Sequence, residues 1–342
     1  MEEIIVLIDY KSSFGSKFNA SPPYSGLDLK EFSIEMEKFG YKTVPTYFFD
    51  VDYNNPNKYS SRKILYQSSE ANDGYAEYKS HIDDILFFLE MAGAHLIPDY
   101  KYFKAHSNKF FMEMLRGFMF DNNKPKTSNY GSLEDFILDK KDHQFPIVIK
   151  KSHGAQAKGV YMAKNPKQLN QIVKKVSKSS FTLKEYIKER LRKIKHKTPY
   201  IPFSIHRNKF ILQSFTEGLS GDFKVLVFND IFYLIKRDNR PNDFRASGGG
   251  LNTFTGEFEL PEGLLDYAYT VFENFKCPYV SLDIGVNKDG FHLIEFQFIN
   301  FGTSAHCKSK IYYQKKEDIY NPMKNDLSLE YLYSYSLNSY LK

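Results

Sequence analysis

The sequence predicts an α/β fold that turns to antiparallel, α+β architecture over its second half. Three observations carry that expectation. Short apolar strands and amphipathic helices alternate through the first hundred residues, the pattern of a mostly parallel sheet covered by helices. Residues 210–301 are β-rich, broken only where the spacing over 264–275 becomes helical. Two turn signals there, Asn229-Asp230 and Asn287-Lys288-Asp289-Gly290, each separate a pair of apolar runs and mark hairpins.

Taken in order, residues 4–8 form an apolar strand, and Leu29, Phe32, Met36 and Phe39 recur at helical spacing before the natural stop at Gly40. Residues 44–49 and 64–67 read as further strands. Tyr78, Ile82, Ile85, Leu86 and Leu89 stripe a second helix that ends before Gly93. A helix over 108–120 follows, capped by Ser107 or Asn108, with Phe111, Met114, Leu115 and Phe118 as its expected buried stripe. Lys109 in its first turn opposes the helix dipole, a cost that makes sense beside an anion. The strand 146–150 then runs into a glycine-containing loop, followed by another strand and a helix over 168–176.

At 342 residues the chain is long for one core and should divide into two or three domains. Its start is acidic with too short an apolar run for a signal peptide, and no stretch approaches the roughly 20 apolar residues that span a bilayer. Two cysteines, Cys277 and Cys307, make neither a disulfide framework nor a metal knuckle, which points to a cytoplasmic protein with reduced thiols. The net charge of +6 is modest and unevenly spread. Leu183, Ile187, Leu191 and Ile194 form a helical stripe, and Lys184, Lys188, Arg190, Arg192, Lys193, Lys195 and Lys197 fill the rest of that segment. Such a segment is either an amphipathic surface helix with a solvated basic face or a landing site for an acidic substrate or partner. No nucleic-acid motif accompanies it.

The second hairpin carries the sharpest chemical signal. Val280, Leu282, Ile284 and Val286 alternate with Ser281, Asp283 and Gly285, so the acid sits on the less apolar face. With a three-residue loop, Asp283 stands directly opposite Glu295, and Gln297 shares that face. Facing carboxylates repel. A divalent cation would relieve them, since hard cations take carboxylate and amide oxygens; two solvated acids on an outer face are the plainer alternative.

Upstream, Lys150 ends an apolar strand and the loop from Gly154 to Gly159 begins just after it. Glycines let backbone N–H groups approach phosphate oxygens, and a lysine adds a point charge. Lys158 precedes Gly159, so the segment is not a Walker P-loop. His153 is as readily a solvated loop histidine as a substrate contact, and His292 and His306 lack metal-ligand spacing. Beyond lie Gln213-Ser214-Phe215-Thr216, Gly221-Asp222-Phe223-Lys224-Val225, Arg237, Asp243-Phe244-Arg245 and Gly248-Gly249-Gly250.

In that order, with Leu282-Asp283-Ile284 and Ile294-Glu295-Phe296-Gln297, these segments resemble the ATP-grasp superfamily. The chain is most similar to the branch of ribosomal-protein-S6 glutamate ligases and glutathione-synthase-like enzymes, over residues 109–302. The resemblance implies a pre-ATP-grasp α/β domain at 1–107 and an ATP-grasp domain at 108–342, with a mobile lid lobe at about 127–216 and a catalytic lobe at about 217–342. It implies that Lys109 and Lys150 hold ATP phosphates under a closing loop from Gly154 to Gly159. Gln213, Ser214, Phe215 and Thr216 would hold the adenine edge, with Asp222 near the ribose. Arg237 and Arg245 would act on the γ-phosphate and a developing acyl phosphate, and Asp283, Glu295 and Gln297 would ligate magnesium, or manganese in its place.

The chain departs from the family pattern at several points. Gln297 stands where asparagine is usual, with Asn300 close behind; Ser214 replaces a glutamate and Lys224 an arginine; residues 181–209 read as an insertion. The implied activity is ATP-dependent carboxylate–amine ligation through an acyl phosphate, on a small or polymeric carboxylate and an amine acceptor, in a chain that could form a homo-oligomer. A small-molecule kinase and a non-catalytic nucleotide-binding regulator are the competing expectations. Ser25-Gly26 and Ser68-Ser69-Glu70 are candidates for the acceptor side by analogy of fold.

Overall fold

A computed structural model describes residues 1–17, 26–67, 76–120, 125–154, 159–180, 182–198, 200–241, 243–246 and 251–342. Its contacts divide the chain into two compact units, one of residues 1–106, 115–122 and 218–342, the other of residues 107–114 and 123–217.

The first unit opens with four parallel strands, β1 (Glu2–Ile8), β2 (Tyr41–Tyr47), β3 (Lys63–Tyr66) and β4 (His95–Ile97), in the order β2-β1-β3-β4. Helix α1 (Leu29–Lys38) is capped by Asp28, whose carboxylate accepts from the N–H groups of Lys30 and Glu31, and it buries Phe32 and Met36. Helix α2 (Ala76–Met91) buries Ile82, Ile85, Leu86 and Leu89, as their spacing requires. The expected strand over 44–49 differs at its end. Phe48 and Phe49 leave it for a single 3-10 turn, and Pro45 is tolerated because β2 is an edge strand. Helix α3 (Tyr100–Ala105) leads to α4 (Lys109–Met119), through which the division between the units passes.

The buried stripe of α4 lies one residue away from the expected one. Met112, Glu113, Leu115 and Arg116 are buried, whereas Met114 and Phe118 are exposed, the latter at 89%. Apolar residues surround this helix, so the 3.6-residue period fits more than one face, and packing decides between them.

The second unit holds the antiparallel sheet β5 (Thr127–Tyr130), β6 (Ile147–Lys151), β7 (Val160–Ala163) and β8 (Phe210–Ser214), ordered β5-β8-β6-β7. Helices α5 (Leu133–Leu138) and α6 (Pro166–Ser177) accompany it, and Tyr130, Ile149, Val173, Phe210 and Leu212 are among its core residues. Helix α7 (Leu183–His196) also belongs to this unit.

Returning to the first unit, β9 (Gly221–Phe228), β10 (Ile231–Asp238), β11 (Asn252–Phe254), β12 (Tyr279–Asn287), β13 (Gly290–Gln297), β14 (Ile311–Lys316) and β15 (Ile319–Lys324) form one sheet, ordered β13-β12-β9-β10-β14-β15 with β11 on β10. Helix α8 (Leu264–Phe275) interrupts the strands where the sequence places it; α9 (Ser304–Lys308) and α10 (Leu329–Leu341) complete the unit. One face of this sheet changes character along its length. Leu226, Phe228 and Tyr279 join a core with Ile4, Val6, Leu65 and the α10 residues Leu332 and Tyr333. Farther along the same strands, with the same alternation, stand Asp222, Lys224, Asp283 and Glu295. No helix among the described residues is long and apolar enough to cross a membrane.

Candidate functional site

Asp283 and Glu295 are direct cross-strand partners in the β12–β13 hairpin, as the sequence predicts, but the register arises differently. Asn287 pairs with Gly290, so the loop is only Lys288 and Asp289. A bulge then leaves Ile294 without a partner, and that extra residue brings Glu295, rather than Ile294, opposite Asp283. Arg116 holds the bulge. Arg116 is only 3% exposed, and its guanidinium donates to the carbonyls of Leu293 at 2.5 Å and Ile294 at 2.8 Å.

On its other side Asp283 pairs with Lys224 of β9. Two residues along β9, Asp222 faces Arg237 of β10. The Arg237 side chain joins the two rows, with Nε 2.5 Å from Asp222 Oδ1 and Nη2 2.7 Å from Asp283 Oδ2. Gly221 permits this approach of the strands, because a Cβ there would collide with the Arg237 carbonyl oxygen. Gln297 lies beside Glu295, its amide nitrogen 3.4 Å from Oε1. Asp283, its side chain 16% exposed, is not a solvated acid, and the pair is not left to repel alone: Arg237 and Lys224 supply positive charge within the sheet.

Burial, reinforced by the Asp283 charge and opposed by Arg237, pushes the Asp222 carboxyl up to about 6. Burial likewise works against the charge on Arg237, but the carboxylates of Asp283 and Asp222 outweigh it and hold the guanidinium above its ordinary range. Burial lowers the Lys224 ammonium, against the pull of Asp283. Arg245 is paired with Asp243, through Nε at 2.9 Å to both carboxylate oxygens and Nη2 at 2.6 Å.

Asp283 and Glu295 offer carboxylate oxygens on adjacent strands and Gln297 a carboxamide two residues on, a donor set suited in kind to a hard divalent cation. Among the described residues, no three His, Cys, Asp or Glu side chains gather into a metal site, so such an ion would depend on these two acids with Gln297. Burial pushes the Cys277 thiol well above its ordinary value, in keeping with an inert role.

In the second unit, the start of α4 is fastened to the start of the glycine loop. Asn108 Oδ1 accepts from Phe111 N at 3.4 Å, which settles the cap, and also from Ser152 Oγ at 3.0 Å. Lys109 N donates to Ser152 O at 2.8 Å, and Lys109 Nζ to Gly154 O at 2.8 Å. His153 Nδ1 lies 2.7 Å from the Ser107 carbonyl. Gly159 closes the loop with φ +89°, its carbonyl accepting from Lys151 N at 2.8 Å; a Cβ there would press on the Lys151 side chain at 3.0 Å. Lys150 is buried on β6 while Lys151 faces out. Gln213 and Ser214 end β8, where Ser214 exchanges backbone and side-chain bonds with Lys126 at 2.9 and 3.1 Å. Phe215 and Thr216 follow directly.

The structure thus brings together Asp222, Arg237, Asp283, Glu295 and Gln297 in one unit, and Lys109 with Gly154 in the other. The middle of the glycine loop (155–158), the triple glycine (248–250), Ser25 and the 68–70 segment lie outside the described residues. The sequence gives no signal of a role for Arg116 beyond its place in the helix, and marks Asp243 only as part of the segment Asp243-Phe244-Arg245. A charged residue at the i+4 position from Met112, on the face that Leu115 shares, is the signal that marks Arg116.

Residues 120–195 match a family model described as the RimK-like ATP-grasp domain. No curated protein matches the chain in sequence. Among solved structures, D-cycloserine synthetase DcsG is similar at 12% identity and a TM-score of 0.54, over 99% of this chain and 100% of that one. VanG D-Ala:D-Ser ligase from Enterococcus faecalis is similar at 11% identity and 0.53, over 99% of each chain. N5-carboxyaminoimidazole ribonucleotide synthetase from Thermotoga maritima gives 13% and 0.51, over 90% of this chain and 71% of that one. At such identities the likeness is one of fold.

Proposed function

From the premise that the chain has the ATP-grasp fold, we propose that it is an ATP-dependent carboxylate–amine ligase. The γ-phosphoryl group of ATP passes to a substrate carboxylate, giving an acyl phosphate and ADP; an amine then attacks the acyl carbon and phosphate leaves as the amide forms. The observation that carries this reading is the cross-strand pair Asp283–Glu295, set beside Gln297 and tied to Arg237.

Asp283, Glu295 and Gln297 would hold magnesium, which when bound would supply positive charge against that of the phosphates. Lys109 and Lys150 hold the phosphates, and the backbone from Gln213 through Ser214 and Phe215 to Thr216 holds the adenine. Asp222 orients Arg237, whose guanidinium is in turn directed at the transferring group. Arg245, pre-oriented by Asp243, donates to the oxyanion of the tetrahedral species. Closure of the loop between Gly154 and Gly159 excludes water from a hydrolysable intermediate. On this reading residues 1–107 are the pre-ATP-grasp domain, 127–216 the lid and 217–342 the catalytic lobe, in a protein that works in the cytoplasm.

An ADP-release assay with magnesium over panels of carboxylates and amines tests the proposal. The expected result is ADP formed only when both substrates are present. A stable phosphorylated product formed without amine would make the chain a kinase instead. Thermal stabilisation by ATP with no ADP under any pairing would make it a regulator.

A further inference from the structure

Helix α7 presents an unusual surface. All its residues are exposed except Glu189. Its aliphatic residues are not turned inward: Leu183 is 75% exposed, Ile187 49%, Leu191 59% and Ile194 70%. At about 100° per residue these four fall within an arc of about 80°. Lys184, Lys188 and Lys195 flank one side of that arc, and Arg190 and Lys193 the other. Both acids lie on the opposite side and are already engaged. Glu185 closes a capping box with Thr182, and Glu189 accepts from Arg192 at 2.6 Å, Tyr200 Oη at 2.6 Å and Phe203 N at 3.2 Å. The helix is thus anchored through its polar side while its apolar side faces outward. Ile201 and Phe203, in the segment that follows, are exposed as well.

A helix of 14 residues draws little stability from its own hydrogen bonds, and a soluble protein ordinarily buries such a stripe. Six basic and two acidic side chains within it, a net of +4, select an anionic occupant. A soluble polyanion would match the charge but leave the aliphatic arc wet. An anionic bilayer matches both, taking the arc at the acyl boundary and the flanking cations at the headgroups. We propose that α7 is a peripheral membrane-docking helix that recognises the surface of an anionic lipid bilayer, through Leu183, Ile187, Leu191 and Ile194 ringed by its lysines and arginines. The assignment does not depend on the ligase reading.

Co-sedimentation of the full chain with vesicles tests it, comparing phosphatidylcholine alone with vesicles carrying phosphatidylglycerol as about one lipid in four. The expected result is at least about tenfold stronger binding to the anionic vesicles, weakened by salt. The pair Ile187→Glu, Leu191→Glu, both exposed and so tolerated by the fold, abolishes it. Lys188→Gln with Lys193→Gln weakens it about fivefold per lysine. Absence of binding to anionic vesicles overturns the proposal. So does undiminished binding by the Ile187→Glu, Leu191→Glu variant, or capture of polyglutamate that this variant retains. A dimer in sedimentation velocity that the same variant dissociates would show instead that a second copy covers the face.

Discussion

Arg237 and Asp283 stand on strands that are not neighbours, yet they form an ion pair with 2.7 Å between Nη2 and Oδ2. The pair reaches across β9 at Asp222, which takes the other side of the same guanidinium. Both partners are largely buried, with side chains 11% and 16% exposed. Removing either would leave charge with little water to receive it. The sheet therefore carries its acids in a neutralised arrangement before any phosphate arrives. On the proposed ligase reading, loading the site would exchange some of this internal pairing for bonds to the nucleotide and its metal.

The simplest consequence concerns Asp283. Asp283→Asn keeps the side-chain shape and one acceptor oxygen while deleting the charge shared by Arg237 and the proposed magnesium. We expect magnesium-dependent ADP formation to fall by at least about 100-fold, with the circular dichroism spectrum unchanged. Steady-state ADP release across a magnesium series measures it, and undiminished turnover would remove Asp283 from the metal site.

Asp222 gives a prediction in pH. Its carboxyl is raised from the ordinary 3.8 to about 6, first by burial and then by Asp283. Between those values the folded protein keeps a proton that the unfolded chain has released. Stability from this residue is therefore full below about pH 4 and lost as pH rises through about 6. A shift of roughly two units corresponds to at most about 3 kcal/mol. Urea unfolding of wild type and Asp222→Asn, from about pH 4 to about pH 7, should show wild type losing ground to the variant across that window. A flat or rising difference would contradict the buried, raised carboxyl.

The hairpin shows what the sequence could and could not disclose. Strict alternation from Val280 to Val286 identifies the faces, and the acids do stand opposite each other. The route to that register was hidden, because a bulge at Ile294 depends on Arg116, more than 170 residues away in sequence. Local pattern reports period and turn chemistry; it does not report which distant donor stabilises an irregular strand. The same limit explains α4, where apolar residues on every side left the buried face to be chosen by packing. In α7 the stripe was legible, whereas its outward orientation was not, since periodicity carries no information about what an apolar face meets.

Lys109 tests the second unit independently. Its ammonium donates to the Gly154 carbonyl at the mouth of the glycine loop, where a phosphate oxygen would compete as acceptor. Lys109→Met keeps the apolar stem and removes the charge. A charged hydrogen bond contributes about 1.5–3 kcal/mol, so the affinity for a non-hydrolysable ATP analogue should fall about 10- to 100-fold by calorimetry. Unaltered affinity would leave Lys109 as a loop fastener only.

Arg116 offers the most discriminating test, because it bonds the backbone just before Glu295 and so, on the proposed reading, sets the spacing of the metal ligands. Its two bonds, to Leu293 O and Ile294 O, satisfy the carbonyls that the bulge takes out of the ladder. Without them the strand gains by closing the bulge, and a one-residue slip would place Ile294 rather than Glu295 opposite Asp283. Arg116→Met should lower stability by about 3 kcal/mol through the lost charged bonds. It should also raise the half-saturating magnesium concentration for ADP release by about 10- to 100-fold, while the affinity for metal-free ATP holds. Arg116→Lys, which can restore one of the two bonds, should recover part of the magnesium affinity. A general loosening of the fold would lower the unfolding temperature and leave the magnesium requirement where it was, and that outcome would reduce Arg116 to a packing residue.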